Sequence, residues 1–207
     1  MYVPKEMNMK SLTQVHEFIQ ANNFGVLVFT DAQSQATHLP FLLETDEGQF
    51  GVLYGHMARA NPHAKVLEQG PALAIFNGPH AYISPRWYAR KPAVPTWNYA
   101  AVHVQGSVEL LNDRDSLQLV QRLAHHHDPQ LTQSNDIMTD DYVQRLLKAI
   151  VSFKLVIASY QGKLKLGQHK PKADQAGVYK GLLETKGNAE YQLVQFMRDW
   201  GYLDHFD

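Results

Sequence analysis

The sequence predicts a mainly β protein with peripheral helices, its strands antiparallel and most economically closed into a small barrel. Three observations carry this reading. Six or seven short apolar, β-branched runs recur along the chain. Most are joined by tight turns rather than by crossover helices. None is followed by G-x-G-x-x-G or G-x-x-x-x-G-K-[ST], so the usual phosphate loops of parallel nucleotide-binding sheets are missing. Closure is the economical solution because it removes exposed strand edges.

Taken in order, Ser11-Leu12-Thr13-Gln14 matches a capping box, and Leu12, Val15, Phe18 and Ile19 then recur at helical spacing, so a first helix ends near Asn22 and Asn23. Residues 25–30 (GVLVFT) read as a strand, Asp31 to Gln35 as a turn, and residues 36–44 (ATHLPFLLE) as the second arm of a hairpin. Pro40 has no amide hydrogen for a ladder, so its strand is expected at an edge, at a bulge or facing a ligand. A turn at Thr45-Asp46-Glu47-Gly48 leads to a strand over residues 49–55. Asn61 as cap and Pro62 at the first helical position predict a short helix over residues 61–69, ended by Gly70.

Residues 71–76 (PALAIF) read as a buried strand stopped by Asn77-Gly78-Pro79, and residues 80–98, rich in Pro, aromatics and basic side chains, as a shaped loop. Residues 97–111 form the longest extended stretch, with Gly106 as the place for a bulge or bend. Two helices follow, at 113–126 and 139–149, then a strand at 150–159 and a short strand or ordered loop at 162–168. The tail carries two helices, with Leu193, Phe196, Met197 and Trp200 as an apolar stripe. The domain plan expected is a barrel over residues 1–168 with inserted helices at 113–148, and a helical appendage over 169–207 packed on it.

Composition bounds the function. At 207 residues the chain can bury a core without disulfide or metal staples. Cysteine is absent, which excludes thiolate nucleophiles, cysteine-ligated zinc and iron–sulfur clusters, and fits a reducing compartment. A formal net charge of −1 supplies no global field toward nucleic acid or anionic membrane, so any basic site is local. Met1 to Lys10 lack a secretory pattern and no window is apolar enough for a membrane span, so a cytoplasmic location is expected.

Four constellations could carry chemistry. Gly55-His56-Met57-Ala58-Arg59-Ala60-Asn61-Pro62 gathers backbone amides, a cap and a cation where a strand meets a helix start, which suits a phosphate, although a capped helix with a solvated Arg59 has the same spacing. Tyr82, Trp87, Tyr88, Trp97 and Tyr99 lie in a Pro-stiffened region and suit either a planar cofactor or a dimer contact, while Arg86, Arg90 and Lys91 among them admit single-stranded nucleic acid. His125-His126-His127-Asp128 cannot turn consecutive imidazoles to one ion on a helix, and no metal site is assigned there. Lys163 and Lys165 alternate about Leu164, so in an extended segment both ammonium groups point the same way, toward an anion or toward solvent.

In their order and spacing, Met1-Tyr2-Val3-Pro4, Thr37-His38-Leu39-Pro40, the 55–62 segment, Phe76-Asn77-Gly78-Pro79, Ala81-Tyr82-Ile83-Ser84-Pro85, Val94-Pro95-Thr96-Trp97-Asn98-Tyr99 and Lys163-Leu164-Lys165-Leu166 with Gln168 resemble the PaiB-type family of FMN-binding negative transcriptional regulators. The resemblance spans nearly the whole chain. It implies a split β-barrel of the kind found in pyridoxamine-phosphate oxidases and flavin reductases, assembled as a homodimer with FMN in the cleft between subunits. It places the ribityl phosphate at His56, Met57, Ala58, Arg59 and Asn61, and the isoalloxazine beside Thr37, His38, Leu39 and Pro40. Trp97, Asn98 and Tyr99 would come from the partner's side of the cleft, and Lys163 with Lys165 would reach the phosphate or the flavin carbonyls.

The alternatives are a flavin-dependent reductase or oxidase acting on a small substrate, and a haem-handling role, since related split barrels include haem-degrading proteins. Direct DNA binding finds little support: the tail helices at 174–183 and 188–200 carry only Lys180 and Arg198, whereas a recognition helix needs several cations on one face.

Overall fold

A computed structural model of the chain describes residues 1–29, 35–131 and 137–203. Most of the turn expected at Asp31 to Gln35 falls on residues 30–34, outside the described residues. The elements are α1 (Leu12–Ala21), β1 (Phe24–Phe29), β2 (Gln35–Pro40), β3 (Leu42–Glu44), β4 (Val52–Ala58), β5 (Pro71–Ile83), β6 (Thr96–Leu110), α2 (Asp113–His127), α3 (Asp140–Leu147), β7 (Ile150–Lys165), α4 (Lys172–Thr185) and α5 (Asn188–Asp199). The strands form one seven-stranded sheet in the order β2-β1-β5-β6-β7-β4-β3. No described helix is long and apolar enough to cross a membrane.

The chain divides into two compact units, residues 16–76 with 103–160, and residues 1–15 with 77–102 and 161–207. The long strands β5, β6 and β7 each contribute residues to both. In the first unit, β2 and β3 are separated by Phe41 alone yet stand at opposite ends of the strand order. That adjacency forces the sheet to curl until its ends meet, which is the closure of a split barrel. Leu39 of β2 makes the seam: a Cβ placed on Gly55 of β4 would lie 2.8 Å from its Cδ1. Phe41 fills the seam, 1% exposed, its ring 5.4 Å from that of Phe76 and 6.4 Å from that of Phe153. Its amide donates to the Asn23 carbonyl at 2.8 Å. Pro40 ends an edge strand, the first of the three positions that its missing amide hydrogen allowed.

Gly106 on β6 admits the Val156 backbone of β7, and any Cβ there would collide with the Val156 carbonyl oxygen. Close approach, rather than a bend, is what this glycine provides. Over the same unit lies α2, whose Asn112 accepts the Asp115 amide at 2.9 Å as N-cap and which buries Leu119 and Leu123.

The second unit holds a helical hairpin, α4 and α5, whose core includes Val178, Leu182, Leu193 and Met197. Gly177 and Gly181 of α4 receive Trp87 so closely that a Cβ on either would overlap its carbonyl or its ring. Buried Asp174 accepts the amides of Ala89 and Arg90 at 2.8 and 3.0 Å. The aromatic segment after β5 is therefore pinned to a helix.

Several expected boundaries are corrected. The helix expected over 61–69 is a single 3-10 turn, Pro62–Lys65, because only one turn is closed before the chain swings toward β5. The strand expected over 49–55 begins later and runs to Ala58, since Gly48 and Gly51 take φ of +67° and +97° and hold the chain out of the ladder. Asn77-Gly78-Pro79 does not stop β5: the strand continues to Ile83, its buried positions shifting from Ala72, Ala74 and Phe76 to Ala81 and Ile83. The loop expected over 80–98 is correspondingly shorter, and the segment at 162–168 is mostly the end of β7.

Phe41→Ala should cost about 3–5 kcal/mol in urea unfolding, as for other fully buried aromatic rings, with faster amide exchange in β2 than in β1.

Candidate flavin site

The first unit brings three of its chemistry-bearing side chains into a ring. Asn61 Oδ1 accepts the His63 amide at 3.0 Å, which makes its other amide atom the donor to Thr37 Oγ1 at 3.1 Å. Thr37 Oγ1 in turn lies 2.7 Å from His63 Nδ1. His63 is 1% exposed and held edge-on to Phe29, with centroids 5.2 Å apart and planes at 86°. Sequence reasoning found Thr37 and Asn61 but missed His63. The signal was present, because an Asn-Pro cap sends the residue two positions beyond the Asn back to the cap oxygen.

Arg59 stands beside this ring in sequence, exposed, with its guanidinium aimed by two backbone carbonyls. Nε donates to Lys148 at 3.0 Å and Nη2 to Ile150 at 2.7 Å, while the Arg59 amide donates to Ala149. The cation is thereby held on the end of β7 with Nη1 left over. No helix macrodipole supplements it, since a single 3-10 turn is too short to sum one.

The other members of this half separate. His38 is exposed on the opposite side of β2 from Thr37, its ring 6.3 Å from that of Phe24. Leu39 and Met57 are core residues at 3% and 5% exposure, and Pro40 and Ala58 end their strands. His56 pairs across the ladder with Ser152, and neither His56 Nδ1 nor Ser152 Oγ has a hydrogen-bond partner. Burial lowers the His56 pKa below the ordinary imidazole range, and does the same at His103.

In the second unit, Lys163 and Lys165 do point to one side, and they converge on Tyr99. Their ammonium groups lie 5.3 and 6.0 Å from its ring centre. Lys163 is buried and donates to the Tyr2 carbonyl at 3.0 Å; Lys165 donates to Thr96 Oγ1 at 2.6 Å and to the Trp97 carbonyl at 2.9 Å. Each ammonium keeps at least one donor. Trp97 is 53% exposed and meets Tyr82 edge to face at 6.2 Å, with His80 at the same distance. Trp97, Tyr99 and His80 line an open groove of about 400 Å³ with Asn77, Gly78 and Ala100. Asn98 alternates to the other face of β6, 3% exposed, and lines with Tyr88 and Asp174 a cavity of about 20 Å³, room for about one water.

Residues 1–159 match the protein family described as "Putative FMN-binding domain". The chain belongs to this family, that of the PaiB-type FMN-binding proteins. Over 210 residues it is 32% identical to "Protease synthase and sporulation protein PAI 2" of Bacillus subtilis, covering 96% of this chain and 97% of that protein. An uncharacterized protein of Emericella nidulans, AN0679, is also 32% identical, over 90% of this chain and 92% of that one. Among solved structures, the FAD and heme binding protein from Mycobacterium smegmatis superposes with a TM-score of 0.61 at 16% identity, covering 77% of this chain and 73% of that one. The flavocytochrome Anf3 from Azotobacter vinelandii does so at 0.62 and 15%, covering 79% and 72%. At these identities the two structures establish the fold, a split β-barrel.

FMN is the cofactor of this PaiB-type protein, and its donor set fits that ligand. In the first unit a fixed guanidinium with Nη1 to spare suits a phosphate oxygen. In the second unit, taken by itself, lysines with unspent donors suit carbonyl oxygens and an exposed indole offers a face to a flat ring.

Because His56 is held neutral by burial, the unfolded chain takes up a proton there before the folded one does. Stability is then full above about pH 6.5 and falls as pH drops below that value toward the lower folded pKa. His56→Gln should flatten the decline in melting temperature between about pH 7 and pH 5, leaving the share due to His103.

Proposed function

We propose that this flavoprotein is a homodimeric regulator of the PaiB type that senses FMN or its redox state, with the cofactor held in the seam between two copies. One copy offers Arg59, Asn61 and Thr37 to the phosphate end. Thr37, expected beside the isoalloxazine, is assigned there instead because its hydroxyl is bonded to Asn61, while Leu39 and Met57 are left in the core and His38 on the opposite side of β2. The second copy offers Trp97 and Tyr99, with Lys163 and Lys165, to the ring and its carbonyls; Asn98, expected with them, faces the other side of β6. The observation that carries this reading is the pair of ammonium groups flanking Tyr99 beside a half-exposed Trp97. An exposed indole beside the half-buried Tyr99 and Lys165, with the buried Lys163 ammonium behind them, suits a flat anionic ligand and a second protein surface over it.

When bound, the flavin ring supplies electron or hydride transfer. The protein's part is positional. Arg59 Nη1 and the Thr37–Asn61 pair address anionic oxygen, and the two ammonium groups near a carbonyl edge stabilise negative charge there. Trp97 covers a ring face and excludes water from it.

Regulation by direct operator contact is not part of the proposal. Lys172, Lys180 and Arg198 are the cations of α4 and α5; Lys180 pairs with Glu184 at 3.8 Å and Arg198 contacts the Tyr179 hydroxyl. Such scattered, engaged cations do not form a recognition face.

A second reading, a flavin-dependent reductase or oxidase, is favoured by the open groove beside Trp97 and His80. Anaerobic bleaching of the bound flavin by a nicotinamide donor would favour it over a sensor without turnover. A Soret band on haem addition would instead point to haem binding, which the description of the Mycobacterium smegmatis protein names.

FMN added to apoprotein should have its fluorescence quenched with stoichiometric binding, and Lys165→Met should weaken binding about tenfold or more, as for loss of a charged hydrogen bond. Sedimentation should give a dimer that Trp97→Ala dissociates. A monomer that leaves flavin fluorescence unchanged would overturn the proposal.

A further inference from the structure

Within the cradle the Thr37 hydroxyl sits between two partners whose roles are unequal. Asn61 has no freedom: the His63 amide occupies its oxygen, so its nitrogen faces Thr37 and donates. One of the two hydroxyl lone pairs is thereby used. The remaining contact, Thr37 Oγ1 to His63 Nδ1 at 2.7 Å, has two forms. With Nδ1 bare, the imidazole takes the hydroxyl hydrogen, and Thr37 shows the outside a lone pair, which repels an anionic oxygen. With hydrogen on Nδ1, the imidazole fills the second lone pair, and the hydroxyl hydrogen has nowhere to point but outward. The ring cannot escape the choice by rotating, since it is 1% exposed and packed edge-on against Phe29.

We propose that His63 is the positioning residue of the phosphate cradle: carrying its hydrogen on Nδ1, it turns the Thr37 hydroxyl hydrogen toward an anionic oxygen of the ligand. This rests on the reading of Thr37 and Asn61 as part of the FMN phosphate site. It assigns a role to a side chain buried behind the Thr37 hydroxyl and needs no charge on the imidazole, only one of its two neutral tautomers. A phosphate is thereby distinguished from a neutral or donor-bearing group, which the opposite tautomer would suit.

The test uses the intact protein labelled with ¹⁵N-histidine. In the FMN-bound protein, and again with inorganic phosphate as the probe, His63 Nδ1 should show the shift of a hydrogen-bearing ring nitrogen; the shift of a bare nitrogen in the FMN-bound form overturns the proposal. Affinities supply an independent arm. Thr37→Val and His63→Leu should each weaken FMN about tenfold, the magnitude of a hydrogen bond to a charged group. His63→Gln, whose amide can still donate to Thr37, should stay within about threefold of the wild type. The Thr37→Val/His63→Leu double variant should bind no worse than Thr37→Val alone, because both act through one hydroxyl. Losses that multiply in the double variant, or a His63→Leu protein that binds normally while Thr37→Val and Asn61→Ala do not, overturn the role of His63 and leave the cradle in place. If Thr37→Val and Asn61→Ala both bind FMN normally, the cradle assignment itself falls, and the proposal with it.

Discussion

The seam at Phe41 is the constraint on which the first unit depends. One residue joins two strands that stand at opposite ends of the sheet order, so the sheet can satisfy its ladders only by curling until β2 meets β4. Packing of Leu39 over Gly55, with Phe41 between Phe76 and Phe153, makes this closure favourable rather than merely possible. Its chemical consequence lies one pleat away. Thr37, two residues before Leu39 on the same face of β2, is carried to the turn that follows β4, where Asn61 and His63 are waiting.

Charge in this protein is local and aimed. The chain is nearly neutral overall, yet its candidate set of cations, Arg59 in the first unit and Lys163 and Lys165 in the second, is held by backbone carbonyls or hydroxyls rather than by carboxylates: Arg59 by Lys148 and Ile150, Lys163 by Tyr2, Lys165 by Thr96 and Trp97. A carbonyl orients a cation without neutralising it, so its charge stays available to an anionic ligand. The cations outside it include Arg122 with Glu44 and Lys154 with Glu109, where the charge is already spent.

In the second unit the C-terminal helices serve the segment that precedes Trp97. Two glycines of α4 receive Trp87, and Asp174 takes two successive amides of the following residues. The glycines matter here for the space they leave, since the indole packs against the helix backbone itself. This gives the tail a structural role that fits its lack of a cationic recognition face.

Local periodicity and the stereochemistry of single residue types were enough for the antiparallel, mainly β class, most of the helices and strands, and the common direction of Lys163 and Lys165. For Pro40 they left an edge, a bulge and a ligand-facing position open, and the strand order chose the edge. The sequence also carried family membership, through motifs that are weak singly and specific in order. Contacts across the fold made Asn77-Gly78-Pro79 a continuation of β5, since a phase shift within a long strand can absorb a turn signal when neighbouring strands hold both sides. The tertiary structure reduced the expected helix after Asn61 to one turn, removing the dipole from the cradle. It also set Asn98 facing away from Trp97 and Tyr99, and brought His63 from an unremarked position to the centre of the ring with Thr37. Those contacts join residues 24 to 26 positions apart. Spacing along the chain carries no record of them, because they exist only once the sheet has closed.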